Sequence, residues 1–111
     1  MQTVAKELQE AFRKNEAVCA HVIQLFQLFS HKGRFRIACL LARGEFCVNE
    51  ITEVVSEGKT SSVSQHLKML ALSGVIERRR ENQRILYRLK DQRVGKMIQY
   101  LQREFLNGEL K

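Results

Sequence analysis

Residues 59–72 have the sequence KTSSVSQHLKMLAL, which predicts a helix with one apolar and one polar face. Val63, Leu67 and Leu70 follow the i, i+4, i+7 spacing of a helix stripe that is buried against a core. Gly74 follows the segment and can end the helix in a left-handed conformation. The opposite face carries Ser61, Ser64, Gln65 and Lys68. Such a face suits either bulk solvent or the groove of a nucleic acid, and the residues that follow favour the second.

Two extended segments, residues 75–80 and 84–89, follow the helix and are rich in arginine. Ile85, Tyr87 and Leu89 occupy alternate positions, which is the period of a strand with one buried face. Asn82 lies in the tip, residues 81–83, where a tight turn needs a residue that tolerates positive φ. A basic hairpin directly after a helix with a polar face is the arrangement that a winged helix-turn-helix presents to DNA.

Helical spacing also recurs before and after this unit. The segments are residues 1–15, 16–30, 34–43, 47–55 and a last helix that Asp91 caps. Ser30 and Gly33 are expected to mark the break before the third helix, and residues 56–58 are expected to form the turn of the helix-turn-helix. We therefore expect residues 1–111 to form one domain that is mainly α-helical with a small β-hairpin, a winged helix-turn-helix.

The first and last helices carry apolar stripes that are surplus to the core of one small domain. The stripes are Val4, Leu8 and Phe12 in the first helix, and Val94, Met97, Ile98, Leu101 and Phe105 in the last. These stripes predict a homodimer through the first and last helices. A helix-turn-helix dimer would then contact two half-sites.

The charge of the chain favours a polyanionic partner. Its formal net charge is +7, and its pI is about 9.7. Double-stranded DNA is the simplest such partner. No apolar run is long enough to span a membrane and no signal segment is seen, so we expect a cytoplasmic protein without membrane attachment. The three cysteines are an odd number, which argues against a disulfide framework.

The candidate DNA-contacting residues lie in the polar helix face and the hairpin. They are Thr60, Ser61, Ser62, Ser64, Gln65 and Lys68 in the helix, with Arg78, Arg79, Arg80, Gln83 and Arg84 in the hairpin. Gln65 can bind an adenine edge, whereas the hydroxyl and cationic groups can bind phosphates or enter the minor groove. A winged-helix module that binds protein would instead favour a neutral or acidic helix and wing. An enzyme is not expected, because no cysteine has a recognisable histidine partner and no phosphate-binding glycine loop occurs.

Two segments, residues 28–51 (LFSHKGRFRIACLLARGEFCVNEI) and residues 62–89 (SVSQHLKMLALSGVIERRRENQRILYRL), resemble the ArsR/SmtB family of bacterial winged-helix repressors. The resemblance implies a winged fold of five or six helices, a homodimer through the first and last helices, and release of operator DNA when an inducer is sensed. Residues 45–67 are one residue longer than the usual spacing of the family, so the turn before the recognition helix is expected to differ.

Metal-sensing members of this family have a C-V-C pair where this chain has Cys47-Val48-Asn49, and one sulfur cannot build a tetrahedral soft-metal site. On the last helix, Asp91 matches a metal ligand of the family, but Arg93 replaces the histidine. The three histidines show no ligand spacing, and His66 is expected to pack at the edge of the apolar face. No metal and no other cofactor is therefore expected, and metal sensing is a lesser alternative.

The chain is more similar to the non-metal branch of BigR, SqrR and HlyU. That branch has an RxxxxC motif that supplies one thiol of a redox pair, and Cys39 in RFRIACLL matches it. The second thiol of the branch corresponds to Leu106 here. Two interpretations stay open. Cys39 is either a sensor of oxidants or reactive sulfur, alone or with Cys19, or a small buried packing residue.

Overall fold

The computed structural model describes residues 2–55 and 60–106, with six α-helices and three strands. The elements are α1 (Gln2–Lys14), α2 (Glu16–Phe29), α3 (Lys32–Leu41), β1 (Phe46–Cys47), α4 (Val48–Val55), α5 (Thr60–Leu72), β2 (Ile76–Glu81), β3 (Arg84–Leu89) and α6 (Gln92–Leu101). A π-helical turn, Gln102–Leu106, continues α6. Mainly helical structure with a small β-hairpin is confirmed. The expected turn at residues 56–58, with its additional residue, lies outside the described residues.

The core lies around α3, which contacts α2, α4, α5, α6 and β3. The buried core residues are Leu28, Ile37, Ala38, Cys39, Leu41, Ile51, Val55, Val63, Leu67, Leu70, Val75, Ile76, Val94 and Ile98. The stripe Val63, Leu67 and Leu70 predicted for α5 is among them. This burial fixes which face of α5 remains outside.

The wing is an antiparallel sheet of three strands in the order β1-β3-β2. Ile76 pairs with Leu89 and Glu81 pairs with Arg84, which leaves Asn82 and Gln83 as the turn. Asn82 adopts the expected positive φ, 58°. The predicted buried row is only partly correct, since Tyr87 and Leu89 pack against the core but Ile85 near the tip is exposed.

The strand β1 was missed by the prediction of a helix over residues 47–55. Phe46 pairs with Tyr87 and Cys47 pairs with Leu86, so these two residues extend the hairpin. The Glu50 carboxylate accepts a hydrogen bond from the Cys47 backbone N–H at 2.8 Å, as in a capping box, and α4 begins only at Val48. Within α4 the inward valine is Val55, whereas Val54 faces outward.

The start of α3 was also predicted wrongly. His31 is the N-cap, and its Nδ1 accepts a hydrogen bond from the Gly33 backbone N–H at 3.1 Å. The hydroxyl of Ser30 instead donates to the Gln27 carbonyl of α2, so Ser30 does not cap α3. Gly33 therefore lies in the first turn of α3. A Cβ at this position would stand 2.8 Å from Nε2 of His66, so the glycine permits the close approach of α5.

The last helix contributes more to the protomer core than its surplus stripe predicted. Val94 is 3% exposed and Ile98 is 0% exposed, and both pack within the core of the same chain. Their assignment to a dimer interface is wrong, because α6 packs directly against α3. Met97 also packs against that core, Leu101 is partly buried, and Phe105 is 75% exposed.

The first helix keeps its apolar stripe outside the core. It packs against α2, and the side chains of Val4, Leu8 and Phe12 are all more than half exposed. Burial of such a stripe is what stabilises an amphipathic helix in water, so α1 as described leaves that stabilisation unused.

Two glycines near the helix ends give a matched stability prediction. Gly74 has φ 79°, and Val75 N–H donates to the Leu70 carbonyl at 3.1 Å to close the end of α5. Gly74→Ala should lower the free energy of unfolding by about 1–2 kcal/mol, because a Cβ strains this conformation. Gly95→Ala should raise it by roughly 0.5 kcal/mol, because alanine is the better helix former and its Cβ would meet Leu89 at an ordinary 3.4 Å. Urea unfolding at one protein concentration measures both, and a loss at Gly95 would contradict the packing described.

A second prediction concerns the cap of α6. The carboxylate of Asp91 accepts hydrogen bonds from the side chain and the backbone N–H of Arg93, which lower the pKa of Asp91 from 3.8 to about 2. Because folding lowers this pKa, the contribution of the carboxylate to stability is complete above the unfolded pKa and is lost as the pH falls through the folded one. The stability advantage of the native protein over Asp91→Asn should therefore shrink as the pH falls from about 4 to 2. Unfolding measured across this range should show it, and a difference that is constant with pH would refute the assignment.

Candidate nucleic-acid interface

The polar face of α5 is exposed at the positions whose side chains the structure describes. Ser62, Ser64, Gln65 and Lys68 are exposed, while Val63 and its stripe partners anchor the opposite face in the core. None of these four side chains has a hydrogen-bond or ion-pair partner among the residues that the structure describes. The face therefore combines donors, an amide and a cation that are not used within the fold. The side chains of Thr60 and Ser61, also predicted to contact DNA, lie outside the described part.

His66 lies at the side of this face and is committed to packing, as its position in the apolar pattern predicts. Its ring centroid is 4.5 Å from that of His31, and its edge lies against Gly33. Burial lowers the pKa of His66, and the nearby His31 and Arg34 lower it further. The neutral imidazole of His66 therefore packs between α5 and the beginning of α3.

On one face of the wing the charged side chains pair with one another. Arg79 binds Glu45 with two hydrogen bonds of 2.8 and 2.7 Å and also reaches Glu81 at 3.2 Å. Arg88 binds Glu77 at 2.8 Å and approaches Glu45 at 3.6 Å. Hydrogen bonding from Arg79 lowers the pKa of Glu45, so this carboxylate stays ionised at neutral pH. Arg79 is thus neutralised within the protein, although the sequence placed it among the DNA contacts.

Arg84 is engaged in the same way at the other end of β3. Its guanidinium lies 3.1 Å from the Glu50 carboxylate, which also caps α4 through the Cys47 N–H. The Cys47 hydrogen bond lowers the pKa of Glu50, which keeps the ion pair formed at neutral pH. Arg84 therefore ties the wing to the start of α4.

Arg78 and Arg80 differ from their neighbours, because alternate residues of a strand point to opposite faces. They share a face with Ile76, which is buried in the core with Leu67 and Leu70 of α5. This is the side of the sheet on which α5 lies. Both arginines are exposed and have no ion-pair partner among residues 2–55 and 60–106. Arg78 and Arg80 are therefore arginines of the described wing whose charge is not neutralised. Gln83, at the tip, is exposed and uncharged.

Met69, Glu45 and Arg88 are among the residues of this surface that the sequence did not predict. Met69 is exposed one turn after Gln65, and apolar residues were assigned to the core by default. Glu45 and Arg88 build the ion-pair network of the wing. The register of the hairpin, which places Arg88 opposite Glu77, could have revealed Arg88, whereas Glu45 required recognition of β1, which it immediately precedes.

The cysteines occupy different surroundings. Cys39 is 8% exposed, and burial raises its pKa, although a Gln102 hydrogen bond and Arg43 act in the opposite direction. Cys19 lines a separate groove between α1 and α2. Leu106 lines the same groove as Cys39. It stands at the position that corresponds to the second thiol of the BigR, SqrR and HlyU branch. A raised pKa leaves little of the reactive thiolate at neutral pH.

The candidate metal position on the last helix carries an ion pair. Arg93 lies 2.7 Å from the Asp91 carboxylate, where the resemblance placed a histidine. Within the described ranges no three histidine, cysteine, aspartate or glutamate side chains lie close enough together to hold a metal ion. The absence of a metal cofactor stays a prediction.

A large apolar groove lies away from the wing, between α2 and α6. Its volume is about 640 Å³, and its walls include Val18, Val22, Phe26, Met97 and Leu101. The α2 residues among them are exposed, and the sequence had not assigned them to any interface. No helix in the described part of the chain is long and apolar enough to cross a membrane.

Comparisons with known proteins agree with this architecture. The family model described as bacterial regulatory protein, arsR family, matches residues 31–78. The biofilm growth-associated repressor of Agrobacterium fabrum is 34% identical, over 78% of this chain and 73% of its own length. Reduced HlyU from Vibrio cholerae superposes with a TM-score of 0.76 at 30% identity, covering 84% of this chain and 97% of that one.

A third relative is a homodimeric winged helix-turn-helix DNA-binding domain from Mycobacterium bovis, described as a possible ArsR-family regulator. It has a TM-score of 0.69 at 27% identity and covers 80% of this chain and 82% of that one. The family match spans α3 to β2 and thus contains the exposed face of α5. This chain therefore belongs to the arsR family of bacterial regulatory proteins and is a winged helix-turn-helix transcription regulator.

Proposed function

We propose that the protein binds an operator in double-stranded DNA as a homodimer, acts as a repressor and leaves the operator when it meets an inducing signal. The observation that supports this most strongly is the exposed face of α5 beside Arg78 and Arg80, since neither group of side chains is used within the fold. The net charge of +7 supplies attraction to the phosphate backbone. Repression follows the Agrobacterium fabrum relative, which is described as a repressor.

In this proposal α5 enters the major groove. Gln65 forms a bidentate contact with an adenine, and Lys68 with Ser62 and Ser64 binds flanking phosphates or bases. Thr60 and Ser61 begin the same helix and are proposed to contact the backbone. Exposed Met69 can contact a thymine methyl group, the apolar feature of the major groove.

The wing contributes two classes of arginine in this proposal. Arg78, Arg80 and the tip residue Gln83 contact the DNA backbone or the minor groove. Arg79 and Arg84 position the wing through Glu45 and Glu50 and leave the DNA charge to their neighbours. The sequence alone predicts the same role for all four arginines, because it does not show the ion pairs of Arg79 and Arg84.

The dimer interface is proposed to consist of α1, α2 and the end of α6. These elements expose the stripe Val4, Leu8 and Phe12, the α2 wall of the 640 Å³ groove, and Phe105. Met97 and Leu101 line the same groove and would be covered by the partner. Contiguous apolar surface of this kind marks an interaction site, and the Mycobacterium bovis relative is homodimeric. Symmetry would then place the two α5 helices in successive turns of the major groove.

The proposed unit is one DNA-binding domain, residues 1–111, that acts in the cytoplasm without enzymatic activity or a cofactor. The inducer is not metal in this proposal, because Arg93 occupies the Asp91 carboxylate. Oxidant sensing by Cys39 is also disfavoured, because burial raises the pKa of the thiol and Leu106 stands where a second thiol would be needed. Cys39 is then a packing residue, and its raised pKa is a consequence of that burial.

The two classes of wing arginine give different salt dependences of DNA binding. Each phosphate contact contributes about 0.9 to the slope of log K against log salt, because it releases a counterion. Arg78→Ala and Arg80→Ala should each weaken binding to an operator selected from random duplexes and reduce that slope by about one. Arg79→Ala should leave the slope unchanged. Fluorescence anisotropy at several salt concentrations measures these values.

The native protein is the control in that experiment. A native slope near zero would remove the proposed DNA function altogether. A slope that falls equally in Arg79→Ala would show that Arg79 also contacts phosphate, so that its pair with Glu45 opens on binding.

The dimer is tested by placing a charge on the proposed interface. Phe26→Asp and Leu8→Asp should convert the protein to a monomer, because an unpaired buried charge costs several kcal/mol. Both substitutions should also lower the affinity of the protein for DNA. Val54→Asp is a matched control, since Val54 is 64% exposed and Phe26 is 68% exposed, but Val54 lies on α4. Sedimentation velocity at micromolar concentration decides, and a dimeric Phe26→Asp would place the interface elsewhere.

A further inference from the structure

A second groove lies on the other side of α3, between α3, α4 and the π-helical turn that follows α6. Its volume is about 600 Å³, which is within the range of small-molecule sites. Six of the residues that line it form a largely apolar wall: Phe35, Cys39, Leu40, Val54, Val55 and Leu106. It does not include the exposed face of α5, and it shares Phe35 with the groove proposed for the dimer, which lies on the other side of that ring.

The rim of this groove is cationic. Lys32 and Arg36 line it from adjacent turns on one side of α3, and Arg43, which follows the end of α3, lines it as well. No aspartate or glutamate is among the described residues that line it. Lys32 and Arg36 are exposed and have no ion-pair partner within the described ranges. By contrast, the groove between α2 and α6 contains the Asp91–Arg93 ion pair and has no comparable excess of positive charge.

We propose that this groove binds an amphipathic organic anion, with its acid group on Arg36 and its neighbouring cations and its apolar chain against Phe35, Leu40 and Val54. An apolar wall alone would accept any hydrophobic molecule. The row of cations selects an anion, because a guanidinium can bind a carboxylate through two parallel hydrogen bonds. The chain of the ligand would displace water from the wall, which supplies the rest of the affinity.

The position of the groove connects such a ligand to the recognition helix. Val54 and Val55 end α4, the helix that precedes α5 in the helix-turn-helix. The opposite wall is formed by the π-helical turn, where Gln102 donates a hydrogen bond to the Cys39 carbonyl at 3.3 Å. Single π-helical turns are rare and frequently lie at functional sites. A ligand between these walls would shift α4 relative to α3, and this last step rests on the proposed function.

The binding test needs no DNA and uses decanoate as the probe. Isothermal titration of the full chain, below the micelle-forming concentration, should show one saturable site per chain. Decanol and decyltrimethylammonium, which have the same chain without the negative charge, should bind much more weakly. Arg36→Gln should weaken decanoate by about ten- to a hundredfold, the cost of one charge-assisted hydrogen-bonding group. Lys96→Gln, an exposed cation outside the groove, should bind decanoate normally.

Two further measurements localise the probe. Val54→Asp places a negative charge on an exposed part of the wall and should abolish decanoate binding while circular dichroism stays native. Bound decanoate should slow alkylation of Cys39, which lines the groove, but not of Cys47, as judged by peptide mass spectrometry. Equal binding of the cationic analogue, unsaturable uptake, or full affinity in both Arg36→Gln and Val54→Asp would overturn the proposed site.

The DNA step is tested separately. Decanoate should lower operator affinity of the native protein and not of Arg36→Gln. Saturable decanoate binding without a change in operator affinity would overturn the coupling to α5 and support the site. Failure of the ligand-free protein to bind any duplex would overturn the proposed function and leave the anion site standing on the titration.

Discussion

Packing of α3 against five other elements is the constraint on which the remaining structure depends. Ile37 and Ala38 have no exposed surface, and the helix touches elements from both halves of the chain. The helix-turn-helix and α6 are thus packed against a common centre. The core consists mainly of aliphatic side chains, and closely packed protein interiors do not deform continuously. A displacement of one of the packed helices must therefore be accommodated by movement of another.

A second constraint is the division of charge in the wing. Side chains alternate between the two faces of a β-strand, so Arg79 points to one face of β2 and Arg78 and Arg80 point to the other. The three consecutive arginines therefore do not form a single positive patch. The residues on one face neutralise each other through Glu45, Glu77 and Glu81, and those on the other face remain positive. Exposed ion pairs contribute little to stability individually, but a connected network with a bidentate arginine fixes geometry. The ion pairs therefore fix the orientation of the wing, while Arg78 and Arg80 keep a positive charge that can attract a polyanion.

Features that depend on nearby residues were predictable from the sequence. The apolar stripe of α5, the left-handed Gly74, the positive φ of Asn82 and the cap at Asp91 follow from local stereochemistry, and all are confirmed. The family resemblance added the connection between these pieces. Together they gave the architecture and the polar face of the recognition helix.

Features that depend on distant residues were not predictable in this way. β1 contains only Phe46 and Cys47, and it forms because these two residues pair with the edge of β3. Val94 and Ile98 look surplus in a helical repeat, since only the packed structure shows that α3 covers them. The pairing of Arg79 with Glu45 joins residues 34 positions apart. Helical spacing likewise could not show that Gly33 accommodates a ring from α5.

The π-helical turn at residues 102–106 changes the phase of the last helix. An α-helix advances about 100° per residue, and a π-helical turn accommodates roughly one additional residue, so side chains beyond it are rotated by about that angle. Leu101 faces the groove of α2, whereas Leu106 faces the groove of Cys39 on the other side of α3. Five residues separate Leu101 from Leu106, a spacing that turns two side chains about 140° apart in a regular α-helix, so one continuous helix can serve both surfaces. In evolutionary terms, insertion or deletion of a single residue in this turn would rotate Leu106 by roughly 100° about the helix axis and so move it out of the Cys39 groove, without any change in the core.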